Sequence, residues 1–92
     1  MISIKSIISQ NPDMIASEID GEAVMMSIEH GSYYGMNPVA SSIWASAEKS
    51  VSAETICKNI FAQYEISFEQ CQKDTMKFIE DLIQKEILIL HD

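Results

Sequence analysis

Few residues of this 92-residue chain are of the types that carry chemistry, and their spacing assembles no familiar reactive site. Cys57 and Cys71 stand fourteen residues apart, with no second pair and no histidine cluster, so they do not make a zinc site. Each falls on an apolar helical face, where a thiol behaves as a small hydrophobe. His30 lies in a turn and His91 near the chain's end; neither has Ser, Cys or Asp at a telling distance, and both read as solvated. The fourteen acidic residues are scattered, without the Asp-x-Asp-x-Asp order of a calcium loop. Three glycines do not make a phosphate-cradling loop. A catalytic triad need not be sequential, but a chain this short leaves little room for a walled active site. The expectation is no catalytic residue, no metal and no cofactor.

What remains is the chemistry of the backbone. Gly31-Ser32-Tyr33-Tyr34-Gly35-Met36-Asn37-Pro38, with Ile43-Trp44 behind it, reads as a short aromatic strand that stops at Asn37 and hands over to a helix opened by Pro38. The strand has no Lys, no internal Pro and no bulge signal beyond Gly35, the devices by which exposed sheet edges are usually protected. Such an edge presents unpaired N–H and C=O groups and accepts a guest strand. A partner or a helix is expected to cover it.

The elements that hold this strand can be read on either side. Ile2 to Ile8 alternates loosely and stops at Asn11-Pro12-Asp13, as a frayed or short edge strand. Met14 to Ile19 and Ala23 to Ile28 alternate around Asp20-Gly21, a two-residue hairpin signal because both turn positions need positive φ. Val24, Met26 and Ile28 share one face, Ala23, Met25 and Ser27 the other. Glu29-His30-Gly31 turns into Ser32 to Met36, where Tyr34 and Met36 share a face and Tyr33 takes the opposite one. These three strands make an antiparallel meander.

Helical spacing follows. Asn37 and Pro38 fit an N-cap and first helical position for Pro38 to Ala47. Ser52 caps a second helix with Ile56, Ile60 and Tyr64 in line, and Ser67 caps a third that runs to about Glu86. On the third, Phe68, Cys71, Thr75, Phe78, Ile79 and Leu82 gather on the core face. Asp74, Asp81 and Lys85 form a solvated flank, whereas Gln72, Met76, Glu80 and Ile83 widen the apolar stripe on the other side. Ile87 to Leu90 closes the core as a last turn or a brief strand. The fold class expected is α+β, one domain, with a three-stranded antiparallel sheet followed by three helices.

Composition narrows the partners. A content of 47% hydrophobic and 22% charged residues is that of a globular domain rather than a disordered chain. A net charge of -8 argues against nucleic acid, which needs a stripe of Lys and Arg, and against an anionic membrane surface. Six methionines are many for this length and serve either as core fillers or as an adaptable binding surface. Met1 to Ile8 carries no signal-peptide pattern and no run approaches a membrane span, so a cytoplasmic location is expected.

The order of hairpin, Gly-x-Tyr-Tyr-Gly-Met-Asn and Ile43-Trp44, followed by Asp74, Thr75, Phe78, Ile79, Leu82 and Ile87-Leu88, resembles the PqqD-like proteins, also called RiPP recognition elements. The likeness covers about Ile15 to Leu90. The chain departs from the pattern at Thr75, where an aliphatic residue is usual, at Glu86, where Gly commonly ends the helix, and at Ser27, a position often filled by Asp. The resemblance implies a winged-helix-like domain that binds the leader segment of a ribosomally made precursor peptide and performs no chemistry. The leader would add as a strand beside Ser32, Tyr33, Tyr34, Gly35 and Met36 and lie against Gln72, Met76, Ile79, Glu80 and Ile83 of the third helix. The partners implied are a leader peptidase and an asparagine-synthetase-like cyclase, as in split lasso-peptide systems, or else a radical SAM enzyme. The rival readings are a DNA-binding winged helix, a small enzyme or metal protein, and a structural subunit of a larger complex. The first of these is opposed by a third helix that offers only Lys73, Lys77 and Lys85 against several acids.

Overall fold

The computed structural model describes residues 2–19 and 22–91. In chain order the elements are β1 (Ile7–Gln10), β2 (Met14–Ile19), β3 (Glu22–Ser27), β4 (Tyr33–Met36), α1 (Pro38–Ser46), β5 (Val51–Ser52), α2 (Ala53–Phe61), α3 (Phe68–Gln84) and β6 (Leu88–His91). The class is α+β, as expected, but the strands divide between two antiparallel sheets, ordered β2-β3-β4 and β5-β1-β6.

The first sheet is the meander. Ile19 pairs with Glu22 and Ala23 with Met36; Asp20-Gly21, expected to form the hairpin turn, lie outside the described residues. Between β3 and β4 the chain turns through Gly31 at φ 65°, a left-handed value that glycine adopts without a Cβ clash. Ser27 holds this turn. Its hydroxyl accepts the His30 N–H at 3.1 Å and its carbonyl accepts the Gly31 N–H at 2.9 Å. Ser27 thus supplies a side-chain acceptor to this turn.

The second sheet corrects the reading of the N-terminus. The strand is Ile7–Gln10, not Ile2 to Ile8, and it is the central strand of its sheet rather than an edge. Ile8 pairs with Val51 on one side and with Leu90 on the other. Neither partner is local, so no turn signal in the sequence announces them. Ile8, Ile87 and Leu88 are buried where this sheet meets the helices.

The helices start where their caps predict. Asn37 Oδ1 accepts the Ala40 N–H at 2.8 Å, with Pro38 at the first position of α1. Ser52 Oγ accepts the Thr55 N–H at 3.1 Å, and the two hydroxyls also meet at 3.0 Å. Ser67 Oγ accepts the Gln70 N–H at 3.2 Å. Each such cap contributes about 1 kcal/mol. Met14, Met25 and Met36 enter the core from the meander, against Ile43, Ile56, Ile79 and Leu82 from the helices. Burying each large side chain stabilises the fold by about 1.5–3 kcal/mol. Phe68, expected on the core face of α3, instead stands at the start of the helix, largely outside the core, and packs edge-on against Phe61 at 5.2 Å. Cys57 and Cys71 are both buried and unbridged.

The end of α3 explains why Glu86 replaces glycine only at a cost. Glu86 N–H donates to the Ile83 carbonyl at 3.0 Å and Ile87 N–H to the Leu82 carbonyl at 2.9 Å, the pair of bonds that ends a helix on a left-handed residue. Glu86 is that residue, at φ 60°. A side chain there costs roughly 1–2 kcal/mol, while its contact with His30 at 2.8 Å is exposed and worth little. Glu86→Gly is therefore expected to raise the unfolding free energy by about 1 kcal/mol in a denaturant titration; a decrease would show that the His30 contact outweighs the strain. Burial, reinforced by the nearby Cys71, pushes the Cys57 thiol up from 9.0 to about 11. The native state thus favours the neutral thiol, and the stability this confers is present below pH 9 and lost as pH rises toward 11. Cys57→Ala should flatten the stability difference between pH 8 and pH 11 relative to wild type, measured by urea midpoints; parallel curves would contradict the assignment.

Candidate functional site

β4 is an edge strand: β3 pairs with it on one side and no described strand pairs with it on the other. The ladder shows which backbone groups are free. Ser27 N–H donates to the Ser32 carbonyl at 2.9 Å. Hydrogen-bonded pairs recur every two residues in an antiparallel ladder, so Met25–Tyr34 and Ala23–Met36 are the bonded pairs in this register. The N–H and C=O groups of Tyr33 and Gly35 consequently point away from β3. The same alternation turns the side chains of Tyr34 and Met36 inward and leaves that of Tyr33, 69% exposed, on the outer face. A Cβ at Gly35 would meet nothing within 4 Å, so glycine is not required there by crowding.

α3 lies alongside this edge. Tyr34 and Met36 share a narrow cleft of about 110 Å³ with Phe78, Asp81, Leu82 and Lys85 of α3. Lys85 Nζ holds Asp81 Oδ2 at 2.9 Å and stands 5.9 Å from the centre of the Tyr34 ring. A cation at that distance is attracted to the ring face by about 0.5–1 kcal/mol when exposed. The helix and the strand run in opposite directions here, since Lys85 stands near Tyr34 while Phe78 shares a hollow with Val39 at the start of α1. At the far end of β4 a broad open hollow of about 910 Å³ separates the β2–β3 hairpin from α1, lined by Ala16, Glu18, Ala23, Met36 and Pro38. Its walls are small and it offers a guest little burial.

The expected site residues fall into two groups. Tyr33, Tyr34, Gly35 and Met36 form the edge as anticipated, whereas the Ser32 carbonyl is taken by Ser27 and faces inward. On α3 the cleft uses the opposite flank from the one expected. Ile79 is fully buried, Met76 and Ile83 are partly buried against the core, as Phe78 is, and neither they nor Gln72 and Glu80 line the cleft. At 100° per residue, Met76 lies roughly 160° around the helix from Phe78. The residues that line the cleft are Phe78, packed against the core as expected, with Asp81 and Lys85, exposed as expected. The one signal for them in the sequence is the Asp81–Lys85 spacing, which marks an ion pair on a helix but not what it faces.

Among the described residues no group of three or more His, Cys, Asp or Glu side chains could hold a metal ion, and no helix is long and apolar enough to cross a membrane. A search of the curated proteins returned no match. Two solved structures share the fold. One, described as TbiB1 in complex with the TbiA(beta) leader peptide, is 29% identical, with 87% of this chain and 93% of that chain covered and a TM-score of 0.77. The other, a lasso peptide synthetase B1 complexed with the leader peptide, is 16% identical, with 89% and 96% covered and a TM-score of 0.76. The family model of coenzyme PQQ synthesis protein D (PqqD) matches residues 22–88, from the first residue of β3 to the first of β6. With most of its length inside that match and the same fold as two B1 proteins, the chain belongs to the PqqD family.

Proposed function

We propose that this chain is a binding protein, not a catalyst, which takes up the leader segment of a ribosomally synthesised precursor peptide as a strand beside β4 and presents it to modifying enzymes. The observation that carries the reading is the free edge of β4, where the backbone groups of Tyr33 and Gly35 point outward next to the Phe78–Asp81–Lys85 flank of α3. The two solved relatives are each described with a leader peptide, which supports the same occupant here.

The energetics set what the guest must contain. Tyr33 and Gly35 offer four ladder groups, and each bond is worth about 0.5–1.5 kcal/mol net. Ordering the guest costs about 1–2 kcal/mol per residue. The ladder alone does not hold a flexible peptide, so apolar guest side chains must enter the cleft, at about 1.5–3 kcal/mol each. The enzymes served are a leader peptidase and an asparagine-synthetase-like cyclase, as in split lasso-peptide systems; a radical SAM enzyme is the second choice. With a net charge of -8 the chain favours a peptide without excess negative charge, and a cytoplasmic location agrees with a precursor met before export.

The test uses a candidate leader, from a short precursor reading frame sought beside this gene, labelled with a fluorophore and titrated by anisotropy. Saturable binding is expected. Singly N-methylated leaders, each lacking one backbone donor, should lose about tenfold or more in affinity at alternate positions only, because one side of an added strand faces β4. Losses without that two-residue alternation, or no binding, would contradict strand addition.

A further inference from the structure

Among the described residues other than glycine, Glu86 alone has a left-handed backbone, at φ 60°. A residue with a Cβ is strained there, and the exposed contact with His30 returns less than that strain costs. Strained backbones of this kind cluster at sites of function. Besides ending its helix, Glu86 joins α3 to the turn that leads into β4.

Two routes make the join, and both start at Glu86. Its carboxylate Oε2 accepts the His30 Nε2–H at 2.8 Å. Its carbonyl accepts the Asn11 side-chain amide at 2.6 Å, while the Asn11 backbone N–H donates to the Ile87 carbonyl at 3.1 Å. From there the Asp13 N–H donates to Asn11 Oδ1 at 3.0 Å and the Ile28 N–H to the Asp13 carbonyl at 3.2 Å. Ile28 and His30 both lie between β3 and β4, in the stretch that Ser27 folds back. The carbonyl route survives any side chain at position 86; the carboxylate route does not. Tyr33, whose backbone groups face outward, follows His30 by three residues, and Lys85, which stands near the Tyr34 ring, immediately precedes Glu86. The Glu86–His30 bond therefore ties the strand side to the helix side at the Lys85 end of the cleft.

We propose that Glu86 is a positioning residue for leader binding: its carboxylate clasps the β3–β4 turn to the end of α3 and holds β4 and α3 at the spacing a guest strand needs. The inference rests on strand addition at β4. It requires no contact between Glu86 and the guest. The clasp keeps the free protein in the binding-competent arrangement, and apparent affinity falls in proportion as that arrangement becomes less populated. An exposed ion pair is a weak restraint, so the effect is bounded at about fivefold. Its direction is the mark of the role. Removing the side chain relaxes the backbone and stabilises the fold, yet loosens the site.

The same labelled leader tests the clasp. Glu86→Gly should bind about three- to fivefold more weakly than wild type, although it unfolds at higher denaturant. His30→Ala should weaken binding as much, and the two changes together little more than either alone. Glu86→Gln keeps an oxygen that accepts the His30 N–H, and should bind within about twofold of wild type. In the free protein the His30 and Gly31 amides, both held by Ser27, should exchange faster in Glu86→Gly than in wild type. Binding by Glu86→Gly at wild-type strength or tighter, with the alternating N-methyl losses intact, would overturn the clasp and leave strand addition standing. A loss in Glu86→Gln equal to that in Glu86→Gly would overturn it too, by tracing the effect to net charge. Absence of the alternating losses would overturn strand addition and the clasp with it.

Discussion

The pairing of Ile7–Gln10 with Leu88–His91 is the constraint on which the rest of the structure depends. It draws the N-terminal strand into a sheet with the C-terminal one, far from β4 in pairing order. Had that strand extended the meander instead, the backbone groups of Tyr33 and Gly35 would be satisfied within the chain. Closing so long a loop is tolerable because its entropic cost grows only slowly with length. The burial of Ile8 and Leu88 offsets it. The edge that the proposed function needs is thus a consequence of where the chain's two ends meet.

A bare edge is a liability in most proteins, since it invites pairing with any extended chain. Here the neighbouring helix restricts what pairs. α3 stands close enough for Lys85 to reach over Tyr34 and for Phe78 to line one cleft with Met36. A flat sheet from another protein would collide with that wall, whereas a single strand with side chains suited to the cleft fits between. Tethered to Asp81, Lys85 also keeps a charge beside the apolar surface that Tyr34, Met36, Phe78 and Leu82 give the cleft. Specificity then comes from the side chains that enter and affinity from their burial together with the backbone bonds.

Local signals in the sequence carried much of the fold. The three helix caps at Asn37, Ser52 and Ser67, the alternation of β2 to β4 and the outward Tyr33 are all short-range patterns, and all stand in the structure. The second sheet was not legible, because β5 is two residues long and the partners of β1 lie more than forty residues away. The cleft beside β4 is lined from α3 by Phe78, Asp81, Leu82 and Lys85 rather than by Met76 and Ile83. Met76 and Ile83 are partly buried against the core. Without the second sheet, those residues look like surplus hydrophobicity waiting for a guest. The flank that does face β4 is mostly charged and gives no hydrophobic signal beyond Phe78.

Amide hydrogen exchange, residue by residue along β4, tests the central claim most directly. In the free protein the Tyr34 and Met36 amides should exchange slowly and those of Tyr33 and Gly35 quickly, because only the former pair with β3. Saturation with the precursor leader should slow Tyr33 and Gly35 selectively. Protection of Tyr33 and Gly35 before any peptide is added, or no change in them when the leader is bound, would contradict the account.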